Sequence, residues 1–460
     1  MTQNSPLQKA KNFYHMLQSV QANLKFGFPA NGLKLIAVTG TDGKTTTTSL
    51  IYHILKQNQL KVGYISTIEA RIGDKKLDTG LHVTTPDPWD VPMYLKLMHK
   101  AGIKLAVIEA TSSGLQQNRL WGIHFDSATI TNIKYDHLDY HGNWENYAAA
   151  KFQAIKKLVK GGLAVLNSDD NNSANWLKEQ LNNSRKKDEI TISWYSKNDV
   201  SALNSTLQGM TFVYKGQSFE VPLLGNYNIE NSLAAINICE RYLTLKHIAA
   251  AIKSFPTPKG RMEVITRKPF TVIIDFAHTG HALEEALKAV VPLKSGSAKL
   301  ITVFGCAGKR DKSRRAMGEV SARFADITVL TAEDPRDEKL RNVNNEIFEH
   351  AKPQSAIMLE RFAEHNSYEK QKSATAELRA KADKSLANEE KPFFAFDEDS
   401  INSRQDAIDF AIGLAKQGDI VFITGKAHEQ SLCFGDTEFP WSDHDAVGRA
   451  LSDQQKQQGK

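Results

Sequence analysis

The sequence predicts an α/β protein of two domains, each a mostly parallel sheet covered by helices. Three observations predict it. Short apolar runs recur along the chain with helical segments between many of them, the pattern of parallel strands joined by crossover helices. The length of 460 residues exceeds what a single core usually fills. The runs also fall into two series, parted at Ser254-Phe255-Pro256-Thr257-Pro258-Lys259-Gly260, where two prolines and a glycine interrupt helical spacing.

In chain order, residues 1–30 read as a helix-bearing lead-in that ends at the breaker-rich Gly27-Phe28-Pro29-Ala30-Asn31-Gly32. A first domain over residues 31–255 opens with the apolar run Leu35-Ile36-Ala37-Val38, a glycine turn and helical spacing over 45–57. Its further strand candidates are 62–65, 105–108, 127–130 and 162–166. A second domain over residues 256–460 carries candidates at 272–274, 300–304, 327–330 and 420–423. Within it, residues 363–391 are rich in Lys, Glu, Ala, Ser and Gln and read as a solvated polar, helical insertion.

Composition narrows the function classes. With 41% hydrophobic and 24% charged residues the chain has ample material for cores, which excludes wholesale disorder. The net charge of +6 is spread apart from short clusters such as 309–315, and basic residues are not interleaved with aromatics. That excludes a nucleic-acid partner and leaves a mild attraction for anionic substrates. Cys239, Cys306 and Cys433 form no CxxC pair and no disulfide framework, so a reduced cytoplasm is expected. Residues 1–28 contain no apolar core of a leader, and no run approaches bilayer length, so no membrane insertion is expected.

The first chemical signal is Val38-Thr39-Gly40-Thr41-Asp42-Gly43-Lys44-Thr45-Thr46. A strand feeding a glycine turn and then a helix turns backbone N–H groups and the helix's positive end toward phosphate. Lys44 can neutralise phosphate charge, and the Thr45 hydroxyl can reach magnesium. Val38 stands where the usual phosphate-loop pattern has its first glycine. The second signal is Glu109, directly after the run 105–108, an oxygen ligand at a strand's C-terminal end. A third is Asp136-His137-Leu138-Asp139-Tyr140-His141-Gly142, which concentrates metal-capable groups and reads equally as a polar loop.

The segment from Gly40 to Thr46 resembles the loop of the Mur ligase family, and the markers after it resemble the subgroup that adds the third residue of the peptidoglycan stem peptide. The resemblance covers residues 33–451 apart from the polar insertion. It implies a phosphate-loop central domain followed by a Rossmann-like C-terminal domain. Gly40, Thr41, Asp42, Gly43, Lys44, Thr45 and Thr46 would then hold ATP. Glu109 and Thr45 would hold one magnesium ion, and His137, supported by Asp136, a second, while Asp139 and His141 are read as structural. Lys151, fourteen positions beyond His137, matches a family lysine that reacts with carbon dioxide to a carbamate, so it too becomes a metal-site residue. The other reading of Lys151 is a surface lysine on a helix.

Thr84, Thr85, Pro86, Thr111 and Arg119 resemble positions that contact a UDP-muramyl dipeptide. Asn228 and Asn231, in Leu224-Gly225-Asn226-Tyr227-Asn228-Ile229-Glu230-Asn231, match the adenine-side segment; an asparagine-rich turn capping a helix is the alternative. Arg261 and Asp275 correspond to phosphate- and ribose-facing positions, and Arg310, in Lys309-Arg310-Asp311-Lys312, to a catalytic cation. Glu333-Asp334-Pro335-Arg336 resembles a signature whose arginine recognises the far carboxylate of meso-diaminopimelate. Gly425-Lys426-Ala427-His428-Glu429 resembles a segment whose glutamate binds the distal ammonium of the incoming diamino acid.

The resemblance thus implies catalysis by Lys44, His137, Lys151 and Arg310 in an ATP- and magnesium-dependent ligation through an acyl phosphate. The family normally carries an N-terminal UDP-binding domain, whereas about thirty residues precede the first strand here, so UDP recognition is expected to need compensation or a partner. Two other readings stay open: a ligase of the folylpolyglutamate or cyanophycin type acting on a carboxylate without UDP, and a nucleotide-binding subunit that depends on a partner protein.

Overall fold

In the computed structural model the described residues are 6–67, 69–73, 75–77, 85–136, 138–309, 312–364 and 374–458. They form two compact units, Met1–Pro258 and Lys259–Lys460.

The first unit holds a sheet of β1 (Lys34–Thr39), β2 (Val62–Ile65), β3 (Ala70–Ile72), β4 (Lys75–Leu77), β5 (Leu105–Glu109), β6 (Phe125–Ile130), β7 (Leu158–Asn167) and β8 (Thr191–Tyr195). Their order is β4-β3-β2-β5-β1-β6-β7-β8. β2 through β8 pair in parallel, and the short hairpin β3–β4 closes one edge antiparallel. β1 shows why these strands read as unbroken apolar runs. Leu35 and Ala37 enter one core with Leu95, Met98, Phe152 and Ile155, and Ile36 and Val38 enter another with Leu50, Ile54, Leu233 and Ile236. Successive side chains point to opposite faces, and both faces are covered.

The helix Lys44–Gln57 after β1 lies on one face, and the helix Trp144–Lys156, which follows β6, lies on the other. β1 and β6 are neighbours, so the chain switches faces at their C-terminal ends, where open α/β sheets gather ligands. A separate antiparallel sheet of β9 (Val200–Thr206), β10 (Gly209–Tyr214) and β11 (Gln217–Val221) buries Phe212 and Phe219 in the second of these cores.

The second unit holds β12 (Glu263–Thr266), β13 (Thr271–Asp275), β14 (Leu300–Phe304), β15 (Ile327–Leu330), β16 (Ala356–Phe362), β17 (Lys391–Phe396) and β18 (Ile420–Thr424). Their order is β12-β13-β18-β14-β15-β17-β16, parallel except for β12. A hairpin of β19 (Ser431–Phe434) and β20 (Thr437–Pro440) stands apart.

Of residues 363–391, read as a solvated helical insertion, 365–373 lie outside the described residues; the rest includes a helix, and one face of it is buried where solvent was expected. The helix Thr375–Ala387 connects the parallel pair β16 and β17, and its Leu378 and Ala382 lie in the core. Arg379 is buried on the same face, donating to Asp419 Oδ2 at 2.7 Å and Leu414 O at 2.8 Å. Its exposed residues supplied the polar composition. No helix among the described residues is long and apolar enough to cross a membrane.

Candidate active site

The turn after β1 depends on two glycines. Gly43 sits at φ 79°, in left-handed backbone, and Gly40 at φ 155°. A Cβ on Gly40 would run into the Thr131 hydroxyl, and one on Gly43 into the Asn231 side chain. Gly43 is the N-cap of the helix Lys44–Gln57 and offers it no side-chain cap. The first helical amides have no acceptor within the helix, which leaves them to an anion.

The loop following β6 braces this turn. Asn132 Oδ1 accepts from Thr41 N at 3.1 Å and Asp42 N at 2.9 Å, and Thr131 Oγ1 donates to Asp42 O at 2.6 Å. Tyr147 OH donates to Thr41 Oγ1 at 3.2 Å, and Asn167 Nδ2 ties Thr131 O to Glu230 Oε2 at 2.9 and 3.0 Å. Thr131, Asn132, Tyr147 and Asn167 were missed as site residues. The Thr131-Asn132 pair at the end of an apolar strand was the one signal that could have raised them.

Lys44 Nζ donates to Gly40 O at 3.1 Å and Thr41 O at 2.7 Å, so its ammonium rests on the turn itself. Thr45 Oγ1 donates to Glu109 Oε1 at 3.0 Å, and Thr67 adds its amide at 3.1 Å and its hydroxyl at 2.9 Å. Glu109 is 1% exposed at the end of β5, and these three donors are neutral. A buried carboxylate beside a hydroxyl is a hard-oxygen pair that fits magnesium. Among the described residues no three His, Cys, Asp or Glu side chains converge on one metal position. Magnesium commonly draws most of its shell from water and phosphate, so two protein oxygens are compatible with it.

Lys151 is not a surface lysine. It is 1% exposed, its Nζ donates to Gly40 O at 2.6 Å, and it lies 4.2 Å from the centre of the Tyr147 ring. Burial, and then the charge of Lys44, hold its pKa well below the ordinary lysine value. His141 is buried with Nε2 3.0 Å from Ser112 Oγ, and Asp136 is half-buried. His137, Arg310 and Thr84 lie outside the described residues.

Thr85, Thr111 and Arg119 form one cluster. Thr111 Oγ1 caps the helix Ser112–Gln116 through Gly114 N at 3.0 Å, and it meets Thr85 Oγ1 at 2.9 Å. Arg119 Nη1 donates to Thr85 O at 3.0 Å, and burial lowers the pKa of this guanidinium. Pro86, next to Thr85, is buried. Asn228 and Asn231 are both 4% exposed; Asn231 Nδ2 donates to Asn228 Oδ1, and Asn228 Nδ2 to Leu224 O, each at 2.7 Å. With Asn231 against Gly43, the two amides brace the phosphate turn from the helix Tyr227–Cys239.

In the second unit, Asp275 at the end of β13 accepts from Met262 N at 2.7 Å and Ala277 N at 2.8 Å. Burial raises its pKa, opposed by the Arg261 guanidinium, which stacks 4.7 Å from the Phe276 ring centre. On the same ring lies His428 at 4.6 Å, its pKa pushed down by burial to about 3.

Asp334, Arg336, Gly425 and Glu429 are brought together around Lys426, which is 0% exposed along its side chain. Lys426 Nζ reaches Asp334 Oδ1 at 2.8 Å and Glu429 Oε2 at 2.5 Å. Asp334 Oδ1 also accepts from Cys433 N at 2.8 Å, while Arg336 N donates to Cys433 O at 3.2 Å. Beneath them Arg404 forms a two-pronged pair with Asp443, both contacts 2.8 Å, and donates to Ala332 O at 2.9 Å and Thr424 O at 3.0 Å. It thereby pins the ends of β15 and β18.

Glu333 was not selected from the sequence as a site residue, yet it is buried beside Gly425, and its Oε2 has no hydrogen-bond partner among the described residues. Burial pushes its pKa up to about 8 against the opposing Arg314 and Lys426, with Glu429 and Asp334 adding to the rise.

Comparison with known proteins agrees with this geometry. Residues 38–239 match the Mur ligase middle domain, and residues 260–385 the Mur ligase glutamate ligase domain. A UDP-N-acetylmuramyl-tripeptide synthetase from Roseiflexus sp. (strain RS-1) is 32% identical over 449 residues, covering 93% of this chain and 80% of that protein. A UDP-N-acetylmuramoyl-L-alanyl-D-glutamate–2,6-diaminopimelate ligase from Aquifex aeolicus is 33% identical over 434 residues, covering 93% and 79%. A solved structure of a ligase with that same name shares 28% identity at a TM-score of 0.60, covering 97% of this chain and 84% of its own. Folylpolyglutamate synthase from Mycobacterium tuberculosis, solved with ADP and AMPPCP, reaches a TM-score of 0.67 over 89% of this chain and 92% of its own; at 17% identity it shows the fold alone. The chain belongs to the Mur ligase family and is an ATP-dependent acid–amino-acid ligase of peptidoglycan precursor synthesis.

Proposed function

We propose that the chain joins a diamino acid, meso-diaminopimelate, to the D-glutamyl carboxylate of UDP-N-acetylmuramoyl-L-alanyl-D-glutamate and releases ADP and phosphate. The observation that carries the reading is the Thr45–Glu109 pair beside the uncapped helix bearing Lys44. A free carboxylate has no leaving group, so the γ-phosphoryl of ATP goes to a carboxylate oxygen as its bond to ADP breaks. The acceptor amine then attacks the acyl carbon, loses a proton, and phosphate leaves. Catalysis of this kind is mostly positioning and charge stabilisation.

In this reading Lys44 leaves the carbonyls of Gly40 and Thr41 to meet phosphate charge, and the exposed helix amides hold phosphate oxygens. Thr45 and Glu109 would hold magnesium, which when bound would offset the charge on the phosphates. Lys151, its pKa lowered by burial, would supply in its neutral form the lone pair that forms a carbamate with carbon dioxide, with release of a proton. Thr85, Thr111 and Arg119 orient the muramyl dipeptide; Asp334, Arg336, Gly425 and Glu429 take the acceptor, with Arg336 on its far carboxylate and Glu429 on its distal ammonium.

The test is turnover by the purified chain with each substrate omitted in turn. ADP and phosphate should form only with both the muramyl dipeptide nucleotide and diaminopimelate. AMP with pyrophosphate would contradict the mechanism, and equal turnover with lysine, or with a dipeptide lacking UDP, would contradict the substrate assignment.

A further inference from the structure

The helix Pro6–Phe26 buries three polar residues beside Ala22. Ser19 Oγ donates to Asn118 O at 2.9 Å, Asn23 Nδ2 to Trp121 O at 3.1 Å, and Gln8 Nε2 lies 3.4 Å from Tyr140 OH. Its large apolar residues face outward, with Phe13 57%, Tyr14 58%, Leu17 42% and Leu24 64% exposed, and Phe28 just past its end 36%. These are five of the nine large hydrophobics exposed among the described residues, so this is a patch and not the scatter common on surfaces.

Spacing indicates what covers it. Ala10, Tyr14, Leu17, Gln21 and Leu24 follow alternating steps of four and three, the repeat that keeps one stripe of a helix facing a second helix along its length. Charge indicates the partner's chemistry. The helix contains no Asp or Glu, while exposed Lys9 lies on one side of the stripe and exposed Lys11 and Lys25 on the other. A second copy of this chain would set lysines against lysines.

We propose that this face docks an amphipathic helix of another protein, one whose apolar seam is flanked by carboxylates. The proposal is independent of the acceptor and donor assigned above.

The test uses the full chain and a fluorescent designed helix with leucines at the three–four spacing and glutamates on both flanks. Anisotropy should show saturable binding that falls as salt rises and is absent when the glutamates are replaced by lysines. The double variant Leu17→Asp/Leu24→Asp should weaken binding about tenfold or more. Both leucines are exposed, and circular dichroism checks that the variant stays folded; Leu17→Ala/Leu24→Ala should give an intermediate loss. No binding of the glutamate peptide, or equal binding by the double variant or by the lysine peptide, overturns the proposal. A dimer in light scattering that the double variant dissolves assigns the face to a second copy. Cosedimentation with phosphatidylglycerol vesicles that the variant abolishes assigns it to a bilayer. Either result overturns the proposal.

Discussion

Lys44 and Lys151 donate to one carbonyl oxygen, that of Gly40, at 3.1 and 2.6 Å. Two lysine nitrogens this close in a buried site disfavour a second positive charge. Burial, and then the charge of Lys44, hold the Lys151 pKa well below the ordinary lysine value.

The first prediction concerns Lys151→Met. Its folded pKa lies below its unfolded one, so the folded chain binds fewer protons between those values and stability rises with pH across that window. Replacing the amine with an apolar side chain should raise the melting temperature at neutral pH, flatten that rise and lower turnover by about a hundredfold or more. Thermal melts across pH, together with turnover, check it. Turnover by the unmodified chain should also fall in buffer stripped of carbon dioxide and recover with bicarbonate.

A second prediction separates charge from shape at the metal anchor. Glu109→Gln keeps an oxygen for Thr45 or Thr67 but removes the negative charge. The magnesium concentration for half-maximal turnover should rise about tenfold or more, with the fold intact by circular dichroism. An unchanged magnesium dependence would remove Glu109 from the metal site.

Glu333 should make stability fall with rising pH. Its folded pKa is raised from 4.5 to about 8, so the folded chain holds a proton that the unfolded chain releases between those values. The contribution is fully present below 4.5 and is lost as pH climbs through about 8. Glu333→Gln should remove that slope and stabilise the chain at the alkaline end, as urea melts at several pH values would show.

The buried Arg404–Asp443 pair should be sensitive to the loss of either charge. Asp443→Asn leaves a fully buried guanidinium short of its counter-charge and should destabilise the second unit by about 3–5 kcal/mol. A double-mutant cycle with Arg404→Met in urea should show strong coupling.

Much of this was legible along the chain wherever a segment is buried on both faces. The runs at Val62–Ile65, Leu300–Phe304 and Ile327–Leu330 end where their strands end, because each is mostly apolar and buried at every position, Thr302 and Thr328 included. Elements that show water a face were harder. β9 is exposed at nearly every position and has no period to read, and the helix Thr375–Ala387 hides Leu378 and Ala382 among lysines and glutamates. The phosphate turn was readable since Gly43 and Lys44 are adjacent in sequence. Its brace was not, since Asn132 reaches Asp42 from 90 positions away. The raised pKa of Glu333 comes first from burial, which the sequence around it does not display.

Acyl phosphate formation is tested most directly by labelling the D-glutamyl carboxylate of the muramyl dipeptide nucleotide with heavy oxygen and letting the chain turn over with diaminopimelate. One labelled oxygen should appear in the released phosphate, with ADP formed in equal amount. Label retained wholly in the peptide product, or recovered in AMP, would contradict activation of that carboxylate by the γ-phosphoryl group.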